Sequence, residues 1–291
     1  MNLHEQFLSI GYEKIEGASP DSCKKILDQI KGTRTWGKEL FLSEEEFLKQ
    51  ENRFGTNPKP GRNVLEKVNQ KDLQEIESKF SQLESVVGPD YSWLLAKAVC
   101  GVPDSWLPDY VRKEIEMVPV PNLGAFIKPE YRDITYFRGI DYHQDIIDYK
   151  DRIGDFITAY VYLDNVTENL SPLKILPNTH KFGADVFPHS LKKDQTGNWV
   201  FTHRSGKSVA TEEICLMGLS GDIYFWNAYL LHGTAPNGSN EERISLRYLI
   251  QPKRTAVDRM MDLVDGNLTL STTRVDVDDK HTPIMKGNSI R

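Results

Sequence analysis

From about residue 117 to residue 251 the chain is a succession of short runs rich in β-branched and aromatic residues, at 122–127, 156–163, 173–176, 223–226 and 244–250. Gly, Pro, Asn and Asp punctuate the intervals, and no strong helical pattern fills them. A doubly wound parallel sheet needs a helix between successive strands, so this spacing points to a sandwich or jelly roll. No internal repeat, GxGxxG or P-loop pattern is present. The expected fold is mainly β with added α.

The helices are expected ahead of this stretch, where the first 115 residues read mainly as helical. Ser19-Pro20 offers a cap and a first-turn proline before Cys23, Ile26, Leu27 and Ile30 at helical spacing. Ser43 and Glu46 form a capping-box pair, and Leu73, Ile76, Phe80, Leu83 and Val87 draw an apolar stripe on an otherwise charged helix. Such faces should pack on the β core. Residues 54–61, rich in Gly, Pro and Asn, read as an exposed loop that could border an entrance. All-β barrels reach 291 residues as one unit, so a single domain is expected, with a helical N-terminal region over residues 1–115, a β core over 116–252 and a polar tail over 253–291.

Charge narrows the partners. The formal net charge of -6 repels a phosphate backbone and an anionic leaflet on average, which argues against nucleic acid and membrane. The N-terminus carries Glu5 and Glu13 and lacks a basic start followed by an apolar run, so no secretory signal is read there. Cys23, Cys100 and Cys215 lie far apart without CxxC spacing, which suits a reducing compartment and a cytoplasmic protein. A small-molecule substrate is the expected partner, and the oligomeric state is not legible.

Chemistry concentrates in three places. The first is His143-Gln144-Asp145, following the β-like run 134–137. On extended backbone, residues two apart project to one face, so an imidazole and a carboxylate can converge on one ion. A lone HxD arises easily by chance. The second place strengthens it: the aromatic stretch 221–234 ends in His232 beside Gly233. Two His and one carboxylate on one face of an octahedron leave three positions open, the arrangement of non-haem Fe(II) oxygenases, whereas structural zinc prefers closed tetrahedral sets. The third is Arg243, eleven residues after His232, on a strand whose Arg243, Ser245 and Arg247 share a face. A guanidinium fork meets a carboxylate bidentately, and a neighbouring hydroxyl adds a bond, which suits the far end of a dicarboxylate chelating the iron.

These segments resemble the phytanoyl-CoA dioxygenase family of Fe(II)/2-oxoglutarate-dependent oxygenases over about residues 117 to 251. Phe126-Ile-Lys-Pro129 resembles the strand before the metal motif, His143-Gln-Asp145 matches the HxD, and the stretch from Ala159 to His180 ends in Pro177-Asn-Thr-His180 where relatives carry a PGSH-like tetrad. His232 and Arg243 complete the pattern. Pro177-Asn-Thr-His180 departs from the tetrad at its middle residues, and Leu170 replaces a common glycine. The resemblance implies a cupin-like double-stranded β-helix with the N-terminal helices packed on the barrel. It further implies Fe(II) on His143, Asp145 and His232, 2-oxoglutarate and O2 as co-substrates, and release of succinate and carbon dioxide. Arg243 would bind the distal carboxylate, with Thr234, Ser245 and Asn122 as further contacts and Tyr149 and Arg247 flanking the substrate. Hydroxylation of a small metabolite is the default outcome, with desaturation or cyclisation on the same ligands.

Alternatives stay open at this point. Strand alternation does not separate residues four apart, so Arg247 competes with Arg243 as the carboxylate anchor. His180 is read as a structural group bonding nearby backbone. Asp141, Asp148, Asp151 and Asp155 form either a solvated acidic loop or a selector for a cationic substrate. The 181–211 segment is a lid or a surface hairpin, and Tyr224 and Trp226 are read as core. Two rival functions are a non-oxygenase cupin-like metal enzyme and a jelly-roll binding protein.

Overall fold

The computed structural model describes residues 3–50, 63–116, 118, 121–145, 156–185 and 187–252. Tyr149, Asp148, Asp151, Asp155, the loop 54–61 and the tail 253–291 lie outside the described residues. In chain order the elements are α1 (Leu3–Ile10), β1 (Tyr12–Ile15), α2 (Pro20–Lys31), α3 (Glu44–Leu48), α4 (Gln70–Ser78), α5 (Glu84–Val87), β2 (Tyr91–Gly101), α6 (Asp109–Ile115), β3 (Thr135–Phe137) and β4 (Ile140–His143). They continue as β5 (Ile157–Tyr162), β6 (Leu173–Leu176), β7 (Ser190–Lys193), β8 (Trp199–Thr202), β9 (Ser208–Thr211), β10 (Ile214–Leu216), β11 (Ile223–Asn227), β12 (Leu231–Thr234) and β13 (Arg243–Pro252).

Two sheets frame the molecule. The larger has the order β1-β11-β5-β13-β2-β3 and the smaller β10-β6-β12-β4. Period-two alternation gives the large sheet two unlike faces. On its outer face Ile157, Ala159, Val161, Ile223, Phe225, Ile244, Leu246, Tyr248 and Ile250 join the core formed with Cys23, Ile26, Leu27 and Ile30 of α2 and Leu73 and Ile76 of α4. On its inner face Val99, Tyr160, Tyr162, Tyr224 and Trp226 meet Leu173, Ile175 and Leu216 of the smaller sheet. The α2 stripe and the Ser43–Glu46 capping box form as the sequence leads one to expect, although Ser19 caps α2 without a side-chain hydrogen bond.

Three readings of the sequence need correction. The stretch read as mainly helical also carries β1 and β2, and the eleven-residue β2 runs antiparallel beside β13 along its length and parallel to β3. Its Leu94-Leu-Ala-Lys-Ala98 centre favours a helix by local propensity, and the β13 edge overrides that preference. Residues 122–127 are not a strand. Isolated bridges mark Asn122 and Ile127, and between them the chain turns, with Asn122 Oδ1 accepting from Gly124 N–H at 2.8 Å. An Asn side chain that bonds its own backbone competes with a ladder. The 181–211 segment is more than a hairpin: β7-β8-β9 form a separate sheet whose Phe201, Leu191, Trp199 and Val209 pack on Tyr142, Leu176 and Leu231, the outer face of the smaller sheet.

Candidate metal centre

The smaller sheet places the histidines. His143 closes β4 and His232 lies on β12, and in the antiparallel pairing of these strands the two are direct cross-strand partners. Their rings stand 4.4 Å apart between centroids and both are buried. Each ring donates Nδ1–H to the carbonyl two residues before it, His143 to Asp141 and His232 to Leu230, both at 2.9 Å. With Nδ1 so committed, Nε2 is the lone-pair nitrogen on each ring. Burial and the His232 imidazole push His143 down to about 3, so the ring is neutral.

Asp145 follows His143 by two residues and turns its Oδ1 to both Nε2 atoms, 3.4 Å from His232 and 4.0 Å from His143. One donor atom from each of the three side chains lies within 4.8 Å of the others. Cis ligands at about 2.1 Å from an ion sit about 3 Å apart, so both spacings to the carboxylate need contraction by about an ångström or less. The other carboxylate oxygen, Oδ2, accepts from Thr158 Oγ1 and from Trp226 Nε1, the latter at 3.1 Å. Burial alone would raise Asp145, yet the Arg247 guanidinium and the two imidazoles outweigh it and hold the carboxyl well below the usual carboxylate range. Two imidazoles and one carboxylate, buried and with oriented outer partners, are a donor set that fits a divalent ion.

Gln144, where strand β4 gives way to the following turn, faces away from this cluster. Its amide donates to the Gly183 and Tyr229 carbonyls, both at 2.8 Å, and accepts from Asp185 N–H at 2.9 Å. The residue between His143 and Asp145 thus ties the metal motif to two other segments.

Arg243 and Arg247 take different places. Arg247 donates to Asp145 Oδ1. Arg243 is 2 % exposed, sits 5.4 Å from the centres of both the Phe137 and Tyr160 rings, and has no hydrogen bond from Nε or either terminal nitrogen among the described residues. Gly101 is its register partner on β2, and a Cβ there would come into van der Waals contact with Arg243 Nε at 3.4 Å. Ser245 Oγ and Thr234 Oγ1, also buried, likewise make no well-formed hydrogen bond among the described residues, although the Tyr160 hydroxyl interacts with both Arg243 and Ser245. A buried guanidinium and two hydroxyls in this state form a receptacle for an anion. Asn122 is different, because its Oδ1 is engaged in its own turn.

Thr158, Trp226 and Gln144 are site residues that sequence reasoning missed or took for core. Trp226 is indeed buried in the core, and its indole N–H also reaches Asp145. Thr158 and Trp226 are register partners on the inner face of β5 and β11, a pairing that chain order alone does not reveal. His180 has the structural task expected of it: its Nε2–H donates to the Leu8 carbonyl at 3.1 Å.

Residues 115–245 match the phytanoyl-CoA dioxygenase (PhyH) family. Over these residues the chain is similar to that family. A relative described as a probable alpha-ketoglutarate-dependent hypophosphite dioxygenase, from Stutzerimonas stutzeri, is 25% identical over 245 residues, covering 82% of this chain and 73% of its own. Among solved structures, the epimerase SnoN in complex with Fe3+, alpha ketoglutarate and nogalamycin RO aligns with a TM-score of 0.53 at 12% identity over 99% of this chain and 94% of its own. The apo form of the non-heme monooxygenase ThoJ aligns with a TM-score of 0.50 at 13% identity over 87% and 78%. These two likenesses concern the fold. The PhyH match spans β3 to β12 and the opening of β13, and so contains His143, Asp145, His232 and Arg243.

Proposed function

We propose that this chain is a PhyH-type Fe(II)- and 2-oxoglutarate-dependent dioxygenase, one catalytic unit built on a double-stranded β-helix, that hydroxylates a C–H bond of a small polar metabolite. The observation that carries the reading is a His-Asp-His cluster beside a buried guanidinium with no hydrogen bond among the described residues. Bound iron with 2-oxoglutarate supplies activation of dioxygen and the oxidising power, with succinate and carbon dioxide as co-products.

The chain's own residues do the rest. His143, His232 and Asp145 would hold the ion through Nε2, Nε2 and Oδ1. The Asp141 and Leu230 carbonyls fix the ring orientations, and Thr158 with Trp226 fixes the carboxylate plane. Arg243 receives the distal carboxylate of 2-oxoglutarate as a bidentate pair, assisted by the Ser245 and Thr234 hydroxyls. Phe137 and Tyr160 wall that pocket and exclude water, which strengthens the ion pair. With a carboxylate at position 145 as a third protein ligand, hydroxylation would be the expected outcome.

The test is anaerobic reconstitution with Fe(II) and 2-oxoglutarate, then a metabolite screen for oxygen-dependent succinate release. Saturable 2-oxoglutarate binding and oxygen-dependent succinate support the reading. Turnover with zinc or manganese that is indifferent to oxygen, or ligand binding without oxygen consumption, would overturn it in favour of a cupin-like metal enzyme or a binding protein.

A further inference from the structure

Of the three ligand side chains, Asp145 is the one that no strand carries. β4 ends at His143, and Gln144 and Asp145 lie in the turn beyond it. Thr158 and Trp226 act on the Asp145 carboxylate itself, so the backbone beneath it needs its own fixing. The turn between β11 and β12 supplies part of this. Three successive carbonyls there accept from the metal site: Ala228 from the Asp145 backbone N–H at 3.1 Å, Tyr229 from the Gln144 amide at 2.8 Å, and Leu230 from His232 Nδ1–H at 2.9 Å. The turn is braced in its own right, since Asn227 Oδ1 accepts from the Tyr229 N–H and the Asn227 carbonyl from the Leu230 N–H, both at 2.9 Å. One braced turn therefore sets His232 and Asp145 against each other.

Gln144 extends the arrangement in a second direction. Its side chain is fully buried and also donates to the Gly183 carbonyl, while its oxygen accepts from the Asp185 N–H. Two carbonyls and one N–H admit a single orientation of an amide, and an ionised Glu or a Met has no hydrogen to give either carbonyl. Residues 183–185 are held from their far side by the β7-β8-β9 sheet. His203, just past β8, donates Nε2–H to the Ala184 carbonyl at 2.9 Å, and the Arg204 N–H donates to Asp185 Oδ1 at 3.3 Å. His203 Nδ1 accepts from the Ser205 N–H at 3.1 Å, which leaves Nε2 as the nitrogen with the proton. A run of hydrogen bonds thus leads from the end of β8 through residues 183–185 and Gln144 to the metal motif.

We propose that Gln144 is a positioning residue for the metal centre, through which the β7-β8-β9 sheet sets the place of Asp145. This rests on the metal-site reading above and adds to it a support outside the two principal sheets. A buried donor or acceptor that loses its partner is penalised beyond the worth of the bond, so the Gly183 and Tyr229 carbonyls hold the amide where it is. The same bonds fix the chain on either side of Gln144, at His143 and at Asp145.

The experiment titrates the full metal-free chain with Zn(II) and follows hydrogen–deuterium exchange of the same protein without metal. Gln144→Met keeps the length of the side chain and loses all three bonds. It should weaken Zn(II) binding roughly 10- to 100-fold and speed exchange in peptides covering Asp145 and Asp185, with exchange in β2 and β13 unchanged. His203→Phe keeps the ring beside Phe182 and Phe201 and deletes the bond to Ala184 without touching a ligand. It should weaken Zn(II) binding roughly threefold to tenfold in the wild-type background and no further in the Gln144→Met background, the non-additivity expected of residues in one network. A Gln144 that merely stabilises the fold would lower the melting temperature and leave the Zn(II) affinity of the folded variant as in wild type, and that result overturns the proposal. So does an unchanged Zn(II) affinity in His203→Phe, which decides the matter alone if Gln144→Met does not fold, and so do fully additive losses in the double variant. A wild type that takes up no Zn(II), or an Asp145→Ala variant that binds it equally well, would instead bring down the metal-site reading and this proposal with it.

Discussion

Replacing Arg243 by Met is expected to move ligand affinity and protein stability in opposite directions. The guanidinium is buried, lacks hydrogen bonds among the described residues and is offset by two aromatic rings. Hydrogen bonds to a charged partner contribute about 1.5–3 kcal/mol each, and the fork makes two with a carboxylate. Arg243→Met should thus cost about 3–5 kcal/mol of 2-oxoglutarate binding, or roughly two to three and a half orders of magnitude in Kd. In the ligand-free protein the balance reverses. Removing a buried charge in favour of an apolar side chain stabilises by about 1–4 kcal/mol. Loss of the two cation–π contacts, each near the outer limit of reach, takes back about 0.5–1 kcal/mol apiece. The net is about 1 kcal/mol, or about 2 °C in Tm for a chain this long. Thermal melts with and without Zn(II) and 2-oxoglutarate read both effects together. Wild type at a hundred times Kd gains about 2.7 kcal/mol from the ligand, whereas Arg243→Met starts slightly higher and gains at most about 0.4 kcal/mol. If Arg243→Met keeps its 2-oxoglutarate affinity within threefold of wild type while Arg247→Met loses it, the two arginines have been assigned the wrong way round.

Other expectations concern the carboxylate, its supports and pH. Asp145→Ala should abolish both metal retention and succinate formation, measured by metal analysis after desalting and by product assay; full turnover in this variant would refute the ligand assignment. Trp226→Phe keeps the core ring but deletes the bond to Asp145 Oδ2, so metal affinity should fall about 10- to 100-fold with the fold intact by circular dichroism, and an unchanged affinity would remove Trp226 from the site. Burial pushes His180 down to about 4, only partly countered by its bond to Leu8. Its unfolded value is about 6.5, so the unfolded state takes up the proton first, and the stability from keeping the ring neutral is complete above that pH and drains away as pH falls toward 4. His180→Gln should remove up to about 1.4 kcal/mol per pH unit from the acid-side slope of denaturant unfolding, and an identical slope in the variant would contradict the buried neutral ring.

Much of the site was legible because its residues obey strand parity. Arg243 and Ser245 stand two apart on β13 and could be placed on one face from the chain order alone; the same parity suggests one face for His143 and Asp145, although β4 ends at His143 and Asp145 comes to the site from the turn beyond it. Parity fell silent on Arg243 against Arg247, which lie four apart. What separates them is Asp145, brought beside Arg247 from more than a hundred residues away in the chain. The same limit hid Thr158 and Trp226, whose contacts with Asp145 depend on how β5 and β11 pair. Within the fold, α2 and the capping box were readable from local pattern. Strand β2 was not, because its Leu, Ala and Lys residues suit a helix and long-range pairing with β13 decides the matter. The run at 122–127 misled in the opposite sense, its apolar residues suggesting a strand where Asn122 bends the chain into a turn.

The cross-strand pairing of His143 with His232 has one more consequence. Between His232 and Thr234 the ladder of β4 and β12 loses register, since Thr234 faces Ile140 and one additional residue is accommodated on β4. A bulge of this kind weakens the local ladder, and the two imidazoles sit at its boundary. A bound ion would act there as a rivet, joining two strands where backbone bonding alone is interrupted. Amides of β4 should accordingly exchange with deuterium more slowly once metal is added, so that loading the cofactor and finishing the sheet become a single event.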